Sequence, residues 1–167
     1  MIGIRRKDDA MPLCSLMELP ARLPKNGRLL GLDLGDKTIG LALSDPGLTV
    51  ASPIDTIRRG KFTRDAEALI RTIEDRGVGG LVIGLPVNMD GSEGPRCQST
   101  RQFAANLLTK IDIPIAFWDE RMSTAAVERL LTDEADMTRK RRGEVVDKMA
   151  AAYILQGALD AMAHGRR

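Results

Sequence analysis

The sequence is short of the residues that most often carry catalysis. Its only histidine, His164, lies close to the C-terminal end of the 167 residues. A Ser-His-Asp or Cys-His mechanism would rest on that single end-of-chain imidazole, and histidine-rich metal sites are excluded. The two cysteines, Cys14 and Cys97, cannot build a disulfide framework or a four-ligand zinc site. Aromatics are equally sparse. Phe62, Phe103, Phe117, Trp118 and Tyr153 are the whole set, most of them in core-like segments. That argues against a base-stacking platform. No apolar run approaches the ~20 residues that span a bilayer. Arg5, Arg6 and Lys7 are followed by Asp8 and Asp9 rather than an apolar stretch, so no secretory signal is read and cytoplasm is expected. There is no GxxxxGK[ST] loop, which argues against a nucleotide-binding kinase fragment, as does the lack of room for a second domain to close over a nucleotide. Chemistry, if present, falls to carboxylates, Lys and Arg.

Charge is balanced overall, at +2, but it is clumped. "TRKRRG" at 138–143 sets Arg139, Lys140, Arg141 and Arg142 in a row. Such a run is either a solvated loop or a phosphate-contacting patch.

Residues 1–27 hold Pro12, Pro20 and Pro24 with little periodicity, and read as a mobile or loosely packed extension. Residues 28–163 read as the folded domain and 164–167 as a tail. Residues 28–34 and "IGLALS" form a hairpin around "DKT". "VASPIDTI" at 50–57 is a third strand, which Pro53 pushes to an edge or a bulge. Ala66, Leu69, Ile70 and Ile73 have helical spacing, with Thr63 as the expected cap and Gly77 as the stop. Strand 80–86, polar loop 87–95, helix 96–110 and strand 113–120 follow. A helix from "MSTAAVERLLTDE", with Ser123 as cap, then the basic loop and a last helix over 143–163, complete the chain. The order β-β-β-α-β-α-β-α-α predicts an α/β fold with a mixed five-stranded sheet flanked by helices.

Asp33 interrupts an apolar strand, "LLGLDLGDKTIGLALSD", between Gly31 and Gly35. A carboxylate there is costly without a partner. Asp119 and Glu120 end the last strand, where ligand sites of α/β sheets gather. Asp147 sits near the apolar face of the last helix, beside small residues that would let it lie close to the sheet. Each acid alone has a plain structural role: a turn cap, an exposed strand end, a helix-dipole partner. Three semi-buried carboxylates from three elements repel unless cations lie between them. Hard divalent ions, Mg²⁺ or Mn²⁺, suit such oxygen ligands. Side-chain alternation sends Asp119 and Glu120 to opposite faces, so one of them joins Asp33. Glu120 is favoured, because Asp119 continues the alternation of Ile113, Ile115 and Phe117. Gly31 and Gly35 are expected to let metal and phosphate approach the backbone.

"GLDLGDKTIGLALSD", "VIGLPVNMDGSEG", "FWDERMST" and "VDKMAAAYILQ" together resemble, in order and spacing, the YqgF/RuvX family. The resemblance spans about 28–160. It implies a ribonuclease H-like fold and a metal-dependent nuclease that trims the precursor of 16S rRNA. The alternatives are a Holliday junction resolvase acting on four-way DNA and a non-catalytic nucleic-acid-binding module. By motif, Asp33, Glu120 and Asp147 match the family's acids as metal ligands and catalytic groups. Lys37, Asn88 and Arg121 match positions for phosphate or base contact, joined by Arg139, Lys140, Arg141 and Arg142. Arg121 has a salt bridge to a neighbouring acid as its other role, and Asn88 a purely turn-forming one. The implied partner is nucleic acid, precursor rRNA or branched DNA, with no membrane. A homodimer is a candidate state, since a four-way junction has two symmetric cut sites.

Overall fold

A computed structural model describes residues 13–122 and 139–165; for residues 122, 139–145 and 147 it gives the backbone alone. Five strands form one sheet in the order β3-β2-β1-β4-β5. They are β1 (Arg28–Leu34), β2 (Thr38–Ser44), β3 (Ala51–Arg58), β4 (Val78–Leu85) and β5 (Ile115–Asp119). β1 pairs antiparallel with β2 and parallel with β4, and β4 pairs parallel with β5. The sheet is therefore mixed, as the element order predicts. β3 is an edge strand, and Pro53 lies beside a register shift at Leu41/Ala42. An edge with an irregularity is where a residue lacking N–H is tolerated.

The α-helices among the described residues are α1 (Leu19–Arg22), α2 (Phe62–Arg76), α3 (Pro95–Leu108) and α4 (Arg139–Gly165). The sheet alternates two sets of side chains between two cores. Leu30, Leu32, Leu34, Leu81, Ile83 and Ile115 face α2 and α3. Leu29, Val82 and Ala116 face α4 through Ala151, Leu155 and Ala158. β4 lies between two parallel neighbours and is buried along its whole length, so it reads as a continuous apolar run.

Three expectations change. The basic run 139–142 is the first turn of α4, not a loop; Arg and Lys are good helix formers, so nothing there stops the helix. α2 starts at Phe62 with Lys61 at its N-cap and no side-chain cap, so Thr63 is not the cap. Instead Asp65, only 2% exposed, accepts the Gly60 N–H at 3.1 and 3.2 Å. Residues 13–27, read from sequence as loose, are packed. Leu13 bridges to Ile115, the Cys14 N–H donates to the Ile115 carbonyl at 3.0 Å, and Leu19 is fully buried in the α4-side core. Burying one such leucine is worth about 1.5–3 kcal/mol. The helix expected over "MSTAAVERLLTDE" and its Ser123 cap lie outside the described residues. Gly77 ends α2 as expected, in the left-handed conformation at φ 67°.

Candidate active site

The site forms at the C-terminal ends of the central strands, on the face covered by α4. The alternation of β1 puts Asp33 on the same side as Leu29 and Gly31. Gly31 lies hard against α4: a Cβ there would meet the Leu155 Cβ at 2.8 Å and the Ala151 carbonyl at 3.1 Å. Its missing side chain makes room for the helix, not for metal or phosphate. Gly35 likewise faces the Thr38 carbonyl, at 3.1 Å from such a Cβ. The expectation that these two glycines admit a ligand is corrected accordingly.

Glu120 follows β5 directly, at the start of a 3-10 turn over Glu120–Met122. Its side chain turns inward over Gly84 of β4, which separates β1 from β5. A Cβ on Gly84 would sit 2.6 Å from Glu120 Oε1 and 2.5 Å from Ile154 Cδ1. Gly84 thus supplies the space through which Glu120 reaches β1. There the Glu120 carboxyl is hydrogen-bonded to that of Asp33. Burial pushes the Glu120 pKa up, against the pull of the Asp33 hydrogen bond and of the Arg96 guanidinium; nearby Asp119 adds to the rise. Two carboxyls can share a hydrogen bond only with a proton between them. A divalent cation can take the place of that proton, since hard oxygen donors in a confined site are what Mg²⁺ and Mn²⁺ use. The donors present therefore fit such an ion.

Asp119 points to the opposite face, with Ile115 and Phe117. Arg121 grips it, Nε and Nη2 donating to Oδ2 at 2.9 and 2.6 Å and the backbone N–H to Oδ1 at 3.0 Å. That pairing holds the Asp119 pKa below the ordinary carboxylate range. Arg121 Nη1 also leans on the Asn88 and Met89 carbonyls, at 3.5 and 3.4 Å. Arg121 therefore has its neighbouring acid, and it pins the 87–94 loop beside the site. Within that loop Asn88 shapes a turn. Its N–H donates to the Ser92 carbonyl at 2.9 Å and its Nδ2 to Ser92 Oγ at 3.0 Å, while Gly91 takes φ 89°. Lys37 is exposed on the β1–β2 turn, and its carbonyl accepts the Arg59 N–H at 2.8 Å.

Asp147 lies on α4 one turn before Ala151, whose carbonyl faces Gly31. α4 ends against Met17, near the N-terminal ends of the strands, so its early turns cross the sheet at the end that carries Asp33 and Glu120. The structure thus brings Asp33 and Glu120 into contact and sets Asp119 apart. The side chains of Asp147, Arg139, Lys140, Arg141 and Arg142 lie outside the described set. Among the described residues no group of three His, Cys, Asp or Glu side chains is placed to hold a metal. No described helix is long and apolar enough to cross a membrane. Sequence reasoning missed Gly84, whose role depends on β4 lying between β1 and β5, and Arg96, whose field reaches Glu120.

A profile for RuvX, described as Holliday junction resolvase, matches residues 27–161. A protein of Rhodospirillum centenum is 66% identical over 160 residues, covering 93% of this chain and 85% of its own. One of Paramagnetospirillum magneticum is 67% identical over 150 residues, covering 90% and 96%. Both carry the name of a candidate pre-16S rRNA nuclease. Among solved structures, Thermus thermophilus RuvC in complex with a Holliday junction substrate aligns with a TM-score of 0.50 at 11% identity, over 82% of this chain and 96% of that one. Fowlpox virus resolvase with Holliday junction DNA gives a TM-score of 0.50 at 8% identity, over 81% and 98%. At such identities the likeness concerns the fold, which is ribonuclease H-like.

Proposed function

Since the chain belongs to the RuvX family, we propose that it is a divalent-metal-dependent nuclease that processes precursor 16S rRNA in the cytoplasm. The observation that carries this reading is the Asp33–Glu120 pair, two carboxyls from β1 and the end of β5 meeting over Gly84. In this reading Asp33, Glu120 and Asp147 hold Mg²⁺ or Mn²⁺. The ion, when bound, supplies an activated water and charge neutralisation at the phosphodiester. The protein's own contributions are positional. β1 and β5 present the acids at one end of the sheet. The ion pair with Asp119 keeps Arg121 beside the 87–94 loop. In this reading Lys37, Asn88 and the cations at 139–142 would hold the polyanion by salt-sensitive phosphate contacts.

The test is cleavage by the full-length protein with Mn²⁺ of an RNA carrying the 16S 5′ precursor segment, beside a four-way DNA junction. Preferential cleavage of the RNA is expected. Preferential cleavage of the junction would favour the resolvase reading, to which the description of the family profile points; that activity would call for two copies of the chain acting together. Phosphate contacts alone do not choose between RNA and DNA.

A further inference from the structure

On the opposite side of β1 from Asp33, a cleft of about 480 Å³ opens at the same end of the sheet. Its walls include Asp36 from the β1–β2 turn, Arg59 and Gly60 from the segment before α2, and Arg96 and Ser99 from α3. Arg59 is half-buried and held in place. Its Nη1 donates to the Gly35 carbonyl at 2.7 Å, and its guanidinium lies 5.7 Å from the Phe103 ring centroid. Both contacts fix the side chain without neutralising it. Arg64 lies directly over Gly60. Among the described residues, the close ion pairs involve Arg22, Arg101 and Arg121, and neither Arg59 nor Arg96 is among them, although the field of Arg96 reaches the Glu120 carboxyl.

Exposed arginines are common, and Arg96 alone would mean little. The convergence means more. Guanidiniums from the segment after β3 and from α3 line one concave site that starts one residue past Asp33. Among the described residues Asp36 is the only acid in the lining; Asp65, behind Gly60, is buried and accepts the Gly60 N–H. Arg96 both lines the cleft and acts electrostatically on Glu120, so the cleft and the carboxylate pair adjoin.

We propose that this cleft is a phosphate subsite, in which Arg59 and Arg96 hold a backbone phosphate of a nucleic-acid strand whose neighbouring phosphodiester lies at Asp33 and Glu120. The proposal rests on the nuclease reading above and names binding residues that reading does not contain. Arginine suits the role because its planar fork matches phosphate oxygens and its charge is permanent.

The test is fluorescence anisotropy of full-length protein in chelator with a short labelled single strand, as RNA and as DNA of one sequence, across a salt series. Arg59→Gln and Arg96→Ala are each expected to weaken binding several-fold and to flatten the log–log salt slope by about 0.7, one single-strand phosphate contact. Arg101→Ala, on the same helix but paired with Glu93, should keep the slope. Melting curves accompany each variant; should Arg59→Gln unfold, exposed Arg96 decides. Unchanged slopes in both variants overturn the subsite; weaker binding of RNA alone at an unchanged slope would do so by replacing the phosphate with a 2′-hydroxyl contact. Flattened slopes without metal-dependent cleavage by the native chain would keep the subsite and remove the nuclease reading. Cleavage with unchanged slopes would do the reverse.

Discussion

At the scale of single residues, the site depends on what two glycines leave out. Gly84 leaves room for Glu120. The atoms that an added Cβ would strike, Glu120 Oε1 and Ile154 Cδ1, are the ends of flexible side chains. Gly84→Ala should therefore cost only about 1–3 kcal/mol in a denaturant melt, while displacing Glu120 from Asp33. Its loss of cleavage rate should approach that of Glu120→Gln, roughly 100-fold or more, as for other electrostatic groups at a reacting centre. Gly31 makes the opposite contrast. An added Cβ would meet the Leu155 Cβ and the Ala151 carbonyl, both fixed to the α4 backbone. Gly31→Ala should cost more stability than Gly84→Ala, because a helix must move rather than a side-chain tip. Much of this was legible in the sequence. Asp33 stood out as a carboxylate in an apolar strand, and alternation along 113–120 separated Glu120 from Asp119. The roles of the two glycines were not legible, since each depends on what lies across the sheet or above it.

Among the elements, turns and entry segments carry information that periodicity does not. Asp45 organises the β2–β3 connection. Its carboxylate accepts the Thr49 N–H and hydroxyl, both at 2.7 Å, and the Val50 N–H at 2.9 Å. These bonds, led by that from Val50, hold its pKa at about 2. A carboxyl depressed in the folded state stabilises above its unfolded pKa and loses that contribution as pH falls through the folded value. The contribution of Asp45 should thus be complete above about pH 4 and fade towards pH 2. Asp45→Ala should lower stability by about 1 kcal/mol at neutral pH, and its melting temperature should converge with that of the native chain as the pH approaches 2. The segment 13–27 shows the limit of reading prolines as looseness. Pro24 packs against Gly27 and Gly79, and Leu19 seals the α4-side core. Leu19→Ala should cost about 2–5 kcal/mol, as for a cavity in a core. A cost below 1 kcal/mol would restore the picture of a loose extension.

Across the whole molecule, one end of the sheet gathers the chemistry. The Asp33–Glu120 pair, the Arg59–Arg96 cleft, the 87–94 loop and the first turns of α4 all lie there. The topology causes this, because parallel neighbours β1, β4 and β5 end together while α4 runs back across them. The sheet, its five strands and its meander-then-βα order were readable from the alternation of apolar runs and turns. The cleft was not. Arg59 and Arg96 are separated in sequence and meet only because β3 leads into α2 beside the entry to α3. In the proposed function, Asp33 and Glu120 meet in order to share a divalent ion. Calorimetric titration of Mn²⁺ into the full-length protein, native and Asp33→Asn, tests it most directly. A saturable heat of binding in the native chain that is lost in the variant is the predicted result; equal binding in both, or none in the native chain, would contradict it.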